Sequence, residues 1–234
     1  MGPARRVVSL IGIEARPGFE YRAPLPLGAG YATSGSIAVS VSLALGAARG
    51  LSVNESLELA HVAEIEELTG LGDVLAISCG VGLVVRLKPG APGRGVAECY
   101  PLPPGLSILS LEFGAMDTRS LIQSMEKYKN IAMDSIKRIA EDPSFEVFLE
   151  EARRFTVKSS ILGHLGNIDV SMIEKTPGLL GYYAKKRVLV VIVEESLTRE
   201  ASIHLYKVTG IRPRLLQPSR GGPEVWSQDG GKDS

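Results

Sequence analysis

The chain has 234 residues, 44% of them hydrophobic, enough to bury a sizeable core and to form one large domain or two small ones. Its 26 Lys and Arg balance its 26 Asp and Glu, so no net field favours nucleic acid or an anionic membrane. The longest strongly apolar runs, such as "VLVVIV", are strand-sized and too short to span a bilayer, and "MGPARRVVSLIGIEARPG" lacks the shape of a secretory signal. Cys79 and Cys99 lie far apart, with no CxxC spacing and no nearby histidine pair. They read as buried free thiols rather than a disulfide or a metal site, and the chain as cytoplasmic. Only three Asn and three Gln occur, a bias found in proteins from hot habitats.

Taken in chain order, "RRVVSLIGIEA" and "FEYRAPLP" are rich in β-branched and aromatic residues and end at proline or glycine, which predicts two strands. "TSGSIAVSVSLALGAARG" predicts a helix, capped by Thr33 or Ser34 and stopped at Gly50. A second helix, capped by Ser52 or Asn54, runs through "ESLELAHVAEIEEL" until Gly70 and Gly72 break it. "GVGLVVRLKPG" is the next strand and "APG" the turn after it. Beyond the proline-rich "PLPPG" come the strand "LSILSLEFG", helices over about 117 to 140 and 144 to 163, the buried strand "RVLVVIVEE", the helix "TREASIHLYKVTG" and a last strand at "RPRLLQP". Strands and helices mix without a regular βαβ alternation. That predicts an α+β protein of two lobes, 1–101 and 102–217, followed by a polar, glycine-rich tail, 218–234, expected to be disordered.

The chemistry concentrates in "PLPLGAGYATSGSIA". Glycines at 28, 30 and 35 let the backbone turn tightly and approach a ligand. A helix start offers unpaired N–H groups and a partial positive charge, which suit a phosphate. The hydroxyls of Thr33, Ser34 and Ser36 can donate to phosphate oxygens or ligate Mg²⁺. An ordinary strand-to-helix turn with Ser/Thr capping has the same composition. The Gly-Lys-Ser/Thr ending of a Walker A loop and a flanking parallel βαβ unit are both missing. Downstream, Glu64 projects near Leu57, Ala60 and Leu68 on the second helix, where a carboxylate is costly unless a partner such as a metal neutralises it. Glu66 has apolar neighbours too, Leu59 and Val62, so geometry does not choose between them. Asp73, after two glycines, opens or caps the next helix.

The loop resembles the second motif of the GHMP kinases, roughly P-x-x-x-G-L-G-S-S-A, with Pro26, Gly30, Tyr31, Ala32, Thr33, Ser34 and Gly35 on its positions and Ala32 in place of the second glycine. Ala60 and Glu64 match the superfamily's A-x-x-x-E setting, and "TGLGD" places Asp73 at its aspartate. Within the superfamily the chain is most similar to the archaeal pantoate kinases, through "PLGAGYATSG", "AHVAE", "TGLGD" and "GVGLVVRLKPGAPG". This likeness covers about residues 19 to 95; in the second lobe only the element order agrees, with "TPGLLGYY", Gly178 and Gly181 standing either for a third motif or for a plain turn. The resemblance implies a two-lobed fold with a ribosomal protein S5 domain 2-like N-terminal lobe and a ferredoxin-like C-terminal lobe. It also implies an N-terminally shortened version: about twenty-five residues precede the loop, and the opening Pro-Gly-His type motif has no counterpart.

What the resemblance implies for function is an ATP- and Mg²⁺-dependent kinase for a small hydroxy acid, pantoate first, in coenzyme A synthesis. ATP would sit on Gly28, Ala29, Gly30, Tyr31, Ala32, Thr33, Ser34 and Gly35. Ser34 and Glu64 would hold Mg²⁺, and Asp73 would act on the acceptor hydroxyl. Many relatives carry a basic residue where Leu68 stands, so either another cation such as Arg86 or Lys88 grips the acceptor's carboxylate or the substrate differs. His61 borders the site or is a satisfied helix-face histidine, and the "KKR" run at 185 to 187 is a solvated turn. Partners would be the small-molecule substrate and a second copy of the chain, with no nucleic acid and no membrane. The alternatives are another GHMP kinase, of the homoserine or mevalonate type, and a catalytically inactive binding protein of the same fold.

Overall fold

The computed structural model describes residues 2–14, 18–70, 72–118, 121 and 125–226. They fall into two units, described separately below. The first holds residues 1–27, 32–101 and the chain from 219 onward; the second holds 28–31 and 102–218.

In the first unit the predicted opening strand is a helix, α1 (Gly2–Leu10). Pro3 sits in its first turn, where a missing N–H costs nothing, and Pro3 and Val7 are buried at i, i+4 spacing. Packing on α2 and α3 thus overrides the β-branched composition. The second predicted strand, at 19–26, is irregular. Helix α2 (Thr33–Ala48) buries residues around its whole circumference, as a central helix must. A Cβ on Gly46 would run into Ser56 of α3, so this glycine lets the two helices close up. Helix α3 (Val53–Glu66) starts with a full capping box, Ser52 and Glu55 each bonding the other's backbone N–H.

Helix α4 (Asp73–Cys79) ends at Gly80, in the left-handed conformation, and leads into β1 (Leu83–Lys88). That strand pairs antiparallel with β2 (Val96–Tyr100), a short strand the sequence pattern did not signal. Cys79 and Cys99 are joined in a disulfide, Cα atoms 6.1 Å apart, which corrects the expectation of free thiols. The tail is also corrected as far as it is described: Arg220 bridges Val81, Gly221 and Gly222 lie against Gly80, and Val225 packs on the α1–α3 core. Residues 227–234 lie outside the described chain.

In the second unit, β3 (Leu106–Glu112) is followed by α5 (Lys129–Glu141) and α6 (Phe145–Lys158), the latter capped by Ser144. Helix α6 is shorter than predicted; ahead of α5, Thr118, Leu121 and Met125 are helical, and 119–120 and 122–124 fall outside the described residues. The chain continues through α7 (Val170–Ile173), β4 (Leu179–Lys185), β5 (Val188–Glu194), α8 (Thr198–Thr209) and β6 (Arg214–Leu216). The strands form one antiparallel sheet in the order β4-β5-β3-β6. With helices between β3 and β4 and between β5 and β6, this is the ferredoxin-like topology. Strand β5 is buried on both faces: Leu189, Val191 and Val193 join one core, and Val188, Val190 and Ile192 another. The second core also takes in Ala29 and Tyr31, a four-residue strap contributed from far upstream. Among the described residues no helix is long and apolar enough to cross a membrane.

Candidate active site

The loop ahead of α2 is shaped by its backbone. Gly28 and Gly30 have φ of +77° and +136°, and a Cβ on Gly30 would run into the Lys185 carbonyl. The Gly28 carbonyl accepts from Met116 N–H and the Ala29 carbonyl from Arg187 N–H, both at 3.0 Å. The hairpin turn at Lys185–Arg187 is therefore a buttress of the loop rather than a solvated turn, with Lys186 Nζ donating to Thr118 and Arg187 Nε to the Phe113 carbonyl. Tyr31 reaches the sheet: its hydroxyl donates to Glu112 Oε1 at 3.0 Å and pairs with Ser110 Oγ at 2.9 Å. Burial is the main reason its pKa is pushed up to about 12, and the Glu112 carboxylate adds to it.

Ala32 is the N-cap of α2 and stands in the left-handed region, φ 58° and ψ 26°, where a glycine would stand without strain. Neither Thr33 nor Ser34 caps the helix as predicted. Thr33 is the first helical residue and its hydroxyl donates to the Pro26 carbonyl at 3.0 Å, closing the loop on itself. The N-cap residue, an alanine, offers no side-chain hydrogen bond to the start of this 16-residue helix. Ser34 follows, half-buried, and then Gly35, buried.

Two carboxylates meet at that point. The position a Cβ would take on Gly35 lies 3.2 Å from Glu64 Oε2 and 3.2 Å from Asp73 Cβ. The same position on Gly70 lies 3.2 Å from Asp73 Oδ2 and would run into Glu64 Oε2. Helices α2, α3 and α4 thus bring Gly35, Glu64 and Asp73 together around space that only glycine leaves open. Glu64 is completely buried, and Thr69 Oγ1 donates to its Oε1 at 2.7 Å. Glu66, the other glutamate with apolar neighbours, lies at the surface in an ion pair with Arg6. Asp73 is the first residue of α4 and does not cap it; Gly72 is the N-cap.

The Arg86 guanidinium, from β1, occupies the space a side chain at Gly72 would need, directly before Asp73. The φ of Gly72 is −178°, so glycine is needed here for room, not for conformation. His61 on α3 is buried, and burial first, then the charge of Arg86, holds its pKa below the ordinary value, leaving it neutral at neutral pH. Gly178 and Gly181 have packing roles in the second unit: Gly178 turns with φ +65° against Leu197, and Gly181 abuts Leu149. Thr69 and the buttressing hairpin escaped the sequence reading. The one signal for Thr69 is its place five residues after Glu64, within "TGLGD".

The site assembles a helix start without a side-chain cap, two converging carboxylates and an adjacent guanidinium, a set suited to positioning and charge neutralisation in phosphoryl transfer. Residues 4–81 match the family described as GHMP kinases N terminal domain. A solved structure described as a phosphotransferase related to the CoA biosynthesis pathway superposes with a TM-score of 0.75 at 21% identity, over 94% of this chain and 74% of that one. Residues 4–81 are thus placed with the GHMP kinases by sequence match, and the superposition shows the shared fold. Within that class, a pantoate kinase of Thermococcus kodakarensis is 31% identical over 177 residues, 73% of this chain and 58% of the relative. A pantoate kinase of Methanocaldococcus jannaschii is 28% identical over 145 residues, 61% and 52% respectively. The chain thus spans little more than half the length of these relatives.

Proposed function

We propose that the protein phosphorylates the hydroxyl of a small hydroxy acid at the expense of ATP, with pantoate as the acceptor and 4-phosphopantoate as the product. The observation that carries this reading is the meeting of Glu64 and Asp73 at Gly35, in the first turn of an α2 whose N-cap residue gives no side-chain hydrogen bond. Pantoate kinase relatives and the CoA-related neighbour support the choice of acceptor.

The residues fit Mg²⁺ and a triphosphate: a buried carboxylate beside a hydroxyl-bearing turn is a hard-oxygen donor set, and the glycines of the loop let backbone amides approach phosphate oxygens. Gly28 to Gly35 would cradle the phosphates with backbone amides. Ser34 and Glu64 would hold the metal, with Thr69 fixing the Glu64 carboxylate. When bound, Mg²⁺·ATP supplies the transferable phosphoryl group and neutralises the charge that develops on it. Asp73 accepts the proton of the acceptor hydroxyl, and its place on the first turn of α4 fixes that oxygen's approach. Arg86, lying over Gly72, takes the acceptor's carboxylate, the role that Leu68 cannot fill. A cytoplasmic location and a homodimer go with this reading.

Incubation with ATP, Mg²⁺ and pantoate, mevalonate or homoserine in turn, followed by ADP release, tests the proposal. Release with pantoate alone is expected. Release only with another acceptor reassigns the substrate, and nucleotide binding without release leaves a binding protein. Asp73→Asn should lower kcat by roughly 10²- to 10⁴-fold while ATP affinity stays within about threefold. A mutant at full speed would remove Asp73 from the chemistry.

A further inference from the structure

Of the eight residues from Gly28 to Gly35, the first four fold onto the sheet of the second unit, and the hold on them is unusually complete. Both carbonyls of Gly28 and Ala29 are taken by backbone N–H groups, Ala29 is 1% exposed, and Gly30 has no room for a side chain. Tyr31 ends the segment with the one side chain that reaches across the sheet. Its ring packs with Ala29 and the even face of β5, and its hydroxyl meets Ser110 and Glu112 on β3. Glu112 Oε1 accepts in turn from Arg214 Nε on β6 at 3.1 Å. A tyrosine pinned at both ring and hydroxyl has its χ angles fixed, and with them the backbone on either side. The next residue is Ala32, strained in the left-handed region, which persists only where its surroundings hold it.

We propose that Glu112, backed by Arg214 and acting through the Tyr31 hydroxyl, is a positioning residue that presets the nucleotide loop before any ligand arrives. The proposal rests on the kinase reading and deepens it. Glu112 and Arg214 belong to none of the matched motifs, and neither is placed in contact with substrate or phosphate. Their effect is on how often the loop is in its receptive form. If only a fraction of molecules hold that form, the apparent dissociation constant for nucleotide rises by the inverse of the fraction, while the proton transfer at Asp73 is untouched. The Tyr31 hydroxyl keeps its proton across the working pH range, so it remains a donor throughout.

Tyr31→Phe removes a single oxygen and leaves the ring packing in place. In the full chain it should raise the KM for ATP, and the Kd for a non-hydrolysable ATP analogue, roughly 3- to 10-fold. In Glu112→Ala, which lies outside the loop, the KM for ATP should rise alike while the KM for the acceptor and kcat stay within about twofold. Amide hydrogen exchange at residues 29–32 should speed up by a similar factor. The double variant with Tyr31→Phe should fall short of the sum of the two single effects, because the Tyr31–Glu112 hydrogen bond is common to both. Val191→Ala, a core truncation on the other face of β5, serves as the control for mere loss of stability and should leave the KM for ATP unchanged. Unchanged nucleotide affinity in Tyr31→Phe, an additive double variant, or an equal effect from Val191→Ala would each overturn the positioning role while leaving the kinase reading intact. A wild-type protein that binds no ATP analogue would overturn the kinase reading itself, and the positioning role with it.

Discussion

At the scale of single residues, the site depends on where side chains are missing. Gly35 and Gly70 leave the gap that two carboxylates share, and Gly72 leaves the gap that Arg86 fills. Any methyl group there would push an acidic or basic side chain away from its place. Ala32 shows the opposite economy: it holds a left-handed conformation that costs an L-residue about 1–2 kcal/mol, against the 0.5–1 kcal/mol of extra chain entropy that glycine would lose. Ala32→Gly should therefore raise the unfolding free energy by about 0.5–1 kcal/mol in chemical denaturation. A loss of stability would mean that the alanine methyl makes compensating contacts. The likeness to the superfamily pattern exposed Ala32 as a departure, but its backbone angle is invisible in a sequence.

Helix α4 carries Asp73, the proposed proton acceptor, and at seven residues it is too short to hold itself in place. Asp73 stands at one end and Cys79 at the other, and the disulfide to Cys99 ties it to the β1–β2 hairpin that carries Arg86. Closing a loop of 20 residues stabilises the folded state by about 3 kcal/mol in the chain-entropy description. Reduction, or Cys79→Ser with Cys99→Ser, should lower the denaturation midpoint accordingly, measured with and without dithiothreitol. An unchanged midpoint would show that packing alone holds α4. Helices α2, α3 and α8 and strands β1, β3 and β5 were legible because each carries a strong local signal: a cap at Ser52 or Asn54, the glycine stops, the β-branched run of β5. The disulfide was not, since two cysteines without a motif become neighbours only through tertiary folding. The α1 segment was misread because Val7 and Val8 favour a strand in isolation, and only packing on α2 and α3 selects the helix. Strand β4 was hidden for a similar reason, its glycines reading as a turn although Gly181 is there to admit Leu149.

Across the whole molecule, the lobe order implied by resemblance matches the observed fold, and the ferredoxin-like topology of the second unit appears strand for strand. What no linear reading could supply is that the chain crosses between units more than once, with 28–31 lent to the second and the segment from 219 returned to the first. For the candidate site, the motif residues Glu64 and Asp73 were nameable in advance. The partners that fix them, Thr69 for one and the hairpin at 185–187 for the loop, sit at separations that no spacing rule covers.

The strap from Gly28 to Tyr31 also dictates an order of events during biosynthesis. It leaves the ribosome early, yet its receiving surface includes Val188, Val190 and Ile192, some 160 residues later, so it waits through most of translation without a dock. Contacts at that sequence distance form after local ones, so under the proposed function the nucleotide loop is completed late. In refolding from denaturant, recovery of ATP-analogue binding should lag behind recovery of helical circular dichroism; simultaneous recovery would mean that the strap docks in the same cooperative step as the rest.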